Sequence, residues 1–152
     1  MPGESDCAER RLDGFIDRYD PAVAAVARGA IAALRRRLPG ANLLVYDSYN
    51  ALAVGFAAGE SATGIVLSVT LYPRWVSLFF TEGAALPDPD GLLRGAGKRM
   101  RHIVLDDIAW LGKPAVQALI AAAVARSGRT FEGVGRVIVK SASAKQRTRR
   151  PG

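Results

Sequence analysis

The sequence predicts an α+β domain in which an antiparallel sheet of about five strands packs against two N-terminal helices and a C-terminal helix. Three observations carry this. The stretch Val66–Phe80, VLSVTLYPRWVSLFF, is dense in β-branched and aromatic residues and broken once, at Pro73-Arg74, as two strands joined by a tight turn would be. Upstream, Leu43–Tyr46 and Ala51–Phe56 form a second apolar pair, joined by the polar Asp47-Ser48-Tyr49-Asn50. On either side of this block the apolar residues change to helical spacing.

Taken in order, Leu12, Phe15, Ile16 and Tyr19 mark one face of a first helix. Asp20-Pro21 restarts the chain, with Asp20 at an N-cap and Pro21 at the first helical position. The second helix runs through Val23, Val26, Ala27, Ala30, Ile31 and Leu34 to Arg35-Arg36-Arg37. Positive charge there suits the carbonyl end of the helix dipole, and Leu38-Pro39-Gly40 stops it. After the four central strands, Leu86–Gly91 is a turn-rich bend and Leu92-Leu93 a short helical turn. Arg99–Leu105 reads as a fifth strand, with Met100, His102 and Val104 on one side and Arg101, Ile103 and Leu105 on the other. Pro114 to Arg126 is the last helix, stopped by Gly128, and Arg136–Lys140 a terminal strand or strap.

With 152 residues the chain makes one domain, large enough to bury roughly 70% of its unfolded surface without disulfide or metal. Residues 1–140 form that domain and residues 141–152 a disordered basic tail. Cys7, the only cysteine, excludes a disulfide framework and a cysteine zinc site. The polar N-terminus is no signal peptide and no stretch is a membrane helix, so a cytoplasmic location is expected. The formal charge is +7, but six of the 21 basic residues follow Glu132, the last acidic one. Without them 15 basic face 14 acidic residues, so the basicity belongs to the C-terminus. Such a tail is either a solvated segment or a contact for nucleic acid.

No catalytic motif stands out. Gly95-Ala96-Gly97-Lys98 lacks the glycine and the Ser or Thr of a phosphate loop. His102, the only histidine, has no second histidine for zinc and no Gly-x-Ser-x-Gly nucleophile to activate. Asp106 and Asp107 point apart on an extended chain and are better turn caps than an acid–base couple. A binding site is the better reading. Tyr46, Tyr49, Tyr72 and Trp75 lie at or near strand turns, and Lys98, Arg101 and His102 supply positive charge. These seven are the expected lining of a pocket between sheet and helices for a small anionic or aromatic ligand.

The order of several short strings resembles the YdhG-like domain family, a widespread group of small bacterial proteins. They are Phe15–Tyr19 with the following helix and Leu38-Pro39-Gly40, Tyr46–Leu52, Leu71–Val76, Gly97–Ile103, and the helix after Lys113–Val116. The resemblance covers nearly all of residues 12–140 and implies an α+β domain with an antiparallel sheet. Some members are described as frataxin-like intracellular iron chaperones, which implies iron as a possible cofactor and the first helix's Glu4, Asp6, Glu9, Asp13 and Asp17 as the acidic surface. The expected partners are thus a small-molecule ligand or an unknown protein, nucleic acid through the tail, and no membrane. The chain is expected to be a monomer or homodimer.

Overall fold

The computed structural model describes residues 4–150, with side chains from residue 6 onward. Helices α1 (Glu4–Asp17) and α2 (Pro21–Arg37) precede four strands: β1 (Asn42–Asp47), β2 (Leu52–Ala57), β3 (Ile65–Leu71) and β4 (Val76–Phe80). Then come β5 (Arg101–Leu105), α3 (Pro114–Ser127) and β6 (Val137–Ala142). The sheet order is β5-β4-β3-β2-β1-β6. The first five strands are an antiparallel meander, each beside its sequence neighbour.

β6 corrects the expected sheet. It pairs parallel to β1, giving a mixed sheet of six strands rather than an antiparallel one of about five. A parallel neighbour needs a crossover, and α3 with the loop behind it supplies one. Lys140 is bulged out of the pairing, since Val45 faces Val139 while Tyr46 faces Ser141. The short helical turn expected at Leu92-Leu93 is likewise absent. Both backbone N–H groups instead donate to the Asp88 carboxylate, each at 2.9 Å, in an Asp-centred loop.

All three helices lie on one face of the sheet. Leu43, Val45, Leu52, Val54, Phe56, Leu67, Val69, Leu71, Val76, Leu78 and Phe80 point toward them, along with Ile103 and Leu105. α1 lies over β6, α2 over β3 and β4, and α3 over β3. The helical face read from Leu12, Phe15, Ile16 and Tyr19 is buried throughout. Asp20 holds the N-cap position of α2, but its side chain makes no capping bond. Gly128 ends α3 at φ 63°, the left-handed cap a glycine adopts freely. The opposite face carries no helix. There Ile65 folds over Gly55, and His102 rests on Phe79 with ring centroids 5.1 Å apart.

At the outer edge of the meander β5 is not bare. Arg94 returns beside it, exchanging two backbone hydrogen bonds with His102 at 2.8 and 2.9 Å. No helix among the described residues is long and apolar enough to cross a membrane.

Candidate functional site

The register places Asp47, Leu52, Leu71, Val76 and Leu105 in one row, so the β1–β2 and β3–β4 turns emerge at the same end of the sheet. β6, parallel to β1, delivers the C-terminal segment to that end as well. The first turn closes by Ser48 N–H donating to the Ala51 carbonyl at 2.9 Å, with the Ser48 hydroxyl donating to the same oxygen at 3.0 Å. In the second, Tyr72 N–H donates to the Trp75 carbonyl at 2.9 Å across Pro73-Arg74. The Tyr72 and Trp75 rings then stack, with centroids 4.6 Å apart and planes 20° from parallel. Burial raises the pKa of the Tyr72 phenol, which keeps it a hydrogen-bond donor at neutral pH.

The C-terminal segment, expected to be a free tail, lies against these turns. Ser143 N–H donates to the Asp47 carbonyl at 2.7 Å and Arg147 N–H to the Tyr49 carbonyl at 2.9 Å. The Arg149 side chain is buried, 5% exposed, and its guanidinium meets the Asp47 carboxylate at 3.0 Å. It also donates to the carbonyls of Ser48 at 2.6 Å and Tyr49 at 3.0 Å. Gln146 donates to the second Asp47 oxygen, and Arg18 lies 3.7 Å from it. Arg150 reaches back to the carbonyls of Asp17 and Arg18 at 3.0 and 3.2 Å. Residues 151–152 of the expected tail lie outside the described residues.

Asp47 faces the helices because it shares the alternation of Leu43 and Val45. A carboxylate there, 2% exposed, needs a cation, and Arg149 is that cation. Arg149 also lies over the Tyr19 ring, its guanidinium carbon 5.4 Å from the centroid. The Tyr19 hydroxyl is buried without a well-formed hydrogen bond, as is Arg149 Nε.

Burial pushes the Tyr19 pKa up to about 12; Arg149 opposes the rise, Asp47 adds to it, and the Leu52 backbone and Arg18 oppose it further. The unfolded chain releases this proton near the ordinary value of 10, while the folded chain holds it until about 12. The stabilisation is therefore complete below pH 10 and is lost as pH rises through 12. Equilibrium unfolding across pH 9 to 12 is expected to show stability falling by roughly 1–2 kcal/mol from this group. In Tyr19→Phe that part of the fall disappears, and stability at pH 7 does not drop by more than about 0.5 kcal/mol, since the lost hydroxyl made no well-formed hydrogen bond.

Outside the lock, Tyr49, Pro73, Arg74, Gln146, Arg147, Thr148 and Arg150 line an open cleft of about 680 Å³. Among the described residues its lining holds three arginines and no carboxylate. Neither Arg74 nor Arg147 makes an ion pair among the described residues. Arg74 also borders a smaller cleft of about 140 Å³, shared with Trp75, Val23, Val26 and Asp106. Tyr49 is 53% and Trp75 43% exposed, so both rings are open to a ligand.

The seven residues expected to line one pocket fall in separate places. Tyr49, Tyr72 and Trp75 gather at the turn end of the sheet. Tyr46, half-buried, lies on the helix-free face opposite Ala53, and His102 lies on the same face against Phe79. Lys98 and Arg101 belong to the far end, where Arg101 pairs with Phe80 and donates to the Met100 carbonyl at 2.8 Å. Arg74, Arg147 and Arg150 replace them as the charge beside the aromatic rings. The signal for this was Asp47 on an apolar register, which demands a cation from elsewhere in the chain. Among the described residues no three His, Cys, Asp or Glu side chains gather as a metal site would. The first helix's Asp13 and Asp17 pair with Arg28, and Glu9 with Arg35; the Glu4 side chain lies outside the described residues.

Comparison of the chain with family models, with curated proteins and with solved structures gave no match.

Proposed function

We propose that the chain is a non-enzymatic binding domain that takes a small anionic ligand bearing an aromatic ring, in the cleft between the two hairpin turns and the C-terminal segment. The observation that carries this is the convergence of Arg74, Arg147 and Arg150 beside Tyr49, with no carboxylate in the lining among the described residues. Guanidinium groups bind phosphate and carboxylate oxygens in pairs, and uncompensated positive charge in a cleft draws anions from solution. An exposed tyrosine offers a face for stacking. An aromatic phosphate such as a mononucleotide combines both features.

The test is titration with adenosine monophosphate, followed by calorimetry and by amide shifts. Saturable binding with shifts at residues 48–50, 73–75 and 146–150 is expected. Arg74→Ala and Arg147→Ala should each weaken it about tenfold, as loss of one charge-assisted hydrogen bond implies. Both side chains are exposed, so unfolding midpoints should stay within about 0.5 kcal/mol of the parent. Binding that survives the double substitution sinks the proposal.

A second reading is single-stranded nucleic acid, favoured by the exposure of both Tyr49 and Trp75 along one end of the sheet. It requires affinity that grows with oligonucleotide length and falls steeply with salt, and that is reduced by Arg147→Ala. The iron-chaperone reading has weaker support, because Glu9, Asp13 and Asp17 of α1 are paired with arginines.

A further inference from the structure

At the other end of the sheet, the C-terminal end of α3, the start of β3, and the segments that follow β4 and precede β5 enclose a second cleft, of about 700 Å³. Its chemistry differs from that of the first. Val66 and Ala123, both nearly buried, contribute an apolar floor, and Met100, 49% exposed, leaves a large apolar side chain open to solvent beside it. Around them stand Arg99, Arg126 and Arg129, with Glu82 as the one carboxylate in the lining.

These charges are not equally engaged. Glu82 and Arg99 are bound to each other. Arg129 donates to the Thr63 carbonyl at 3.2 Å, and its remaining N–H groups meet no acceptor among the described residues. Arg126 makes no ion pair among the described residues. The rim therefore has two cations more than the Glu82–Arg99 pair neutralises, set over apolar surface.

We propose that this cleft is a second binding site, for an amphipathic anion: a carboxylate head on an apolar body. The head lies between Arg126 and Arg129, and the body covers Val66 and Met100. A small hydrated anion gains only the charge, and an uncharged hydrocarbon only the floor; the two together select the amphiphile. Glu82 lies close enough to Arg126 to feel its charge, so its carboxylate repels the head and limits affinity. The site stands on its own residues and does not depend on the arginine-lined cleft at the opposite end.

The probe is octanoate, titrated into the intact chain and followed by amide shifts, with inorganic phosphate and octanol as controls. Saturable one-to-one binding is expected, with shifts confined to residues 62–66, 81–82, 99–100 and 123–129. Octanol and phosphate should each bind at least about tenfold more weakly. The double variant Arg126→Ala/Arg129→Ala should lose at least about tenfold in affinity with an unchanged unfolding temperature, and Glu82→Gln should bind several-fold more tightly. Shifts scattered over the helix-free face, shifts at Tyr49 and Arg147 instead, or affinity indifferent to the double substitution would each overturn the assignment.

Discussion

Arg149→Ala is expected to lower stability by about 3–5 kcal/mol, an effect far larger than a residue in a basic C-terminal segment ordinarily has. The substitution strands the Asp47 carboxylate on the helix-facing side of the sheet, with exposed Arg18 at 3.7 Å as its remaining cation. It also frees the Ser48 carbonyl and removes one of the two donors to the Tyr49 carbonyl, the other being Arg147 N–H. Lysine should restore only part of the loss, because one ammonium cannot reproduce the planar fork that reaches a carboxylate and two carbonyls at once. Asp47→Ala should cost less. There the unpaired group is the guanidinium, and undocking of residues 143–150 returns it to water, so the penalty is capped at the free energy of that undocking. Urea unfolding of the three variants checks the order. If Arg149→Ala unfolds within about 0.5 kcal/mol of the parent, the lock is not formed in solution. Both breaks of the lock should also weaken adenosine monophosphate binding, since Arg147 and Arg150 flank Arg149 and depend on it for their position.

Gly135→Ala is the second large effect, expected to cost about 3 kcal/mol, at the upper end of overpacking. A Cβ there would stand 1.7 Å from the Ala41 carbonyl oxygen and 2.5 Å from its carbon, so backbone rather than a flexible side chain must yield. It cannot yield freely, because Gly135 N–H donates to the Pro39 carbonyl at 2.8 Å and Leu43 N–H to the Arg136 carbonyl at 2.9 Å. These bonds start the β1–β6 pairing. Forcing them apart detaches β6, and with it the arginines that follow, so stability and ligand affinity should fall together. Gly14→Ala is the control: nothing lies within 4 Å of its Cβ position on α1, and alanine should leave stability unchanged or raise it by up to about 1 kcal/mol. Denaturant midpoints of the two variants decide the matter.

Elements with a local cause were legible in the sequence. The spacing of Leu12, Phe15, Ile16 and Tyr19 reports a buried helical face, and the alternation at Ile103 and Leu105 reports which side of β5 meets the core. The meander followed because each of its strands pairs with the next along the chain. β6 did not follow. Val137-Ile138-Val139 says strand but does not say which strand it joins, and its neighbour is more than 90 residues away. The candidate site was half legible for the same reason. Tyr49, Tyr72 and Trp75 share an end of the sheet because adjacent hairpins put their turns there. Lys98 and Arg101 seemed their natural charge partners but lie at the other end of the strands. Arg149 was hidden by its company: among six basic residues with no acid between them, nothing local marks one as buried.

The Arg94–His102 bridge bears on how open the edge of this sheet is to an incoming strand. A five-residue edge strand turns alternate peptide groups outward, and an unpaired row of them is a template for another chain. Arg94 occupies the outward donor and acceptor of His102, the second residue of β5. An incoming strand would meet the Arg94 backbone before it met β5, with guanidinium groups at Arg94 and Arg101 beside it. At the opposite edge, the bulged Lys140 breaks the regular spacing that a new strand would have to match. The sheet thus ends on both sides in a feature that defeats propagation, although one of its faces carries no helix.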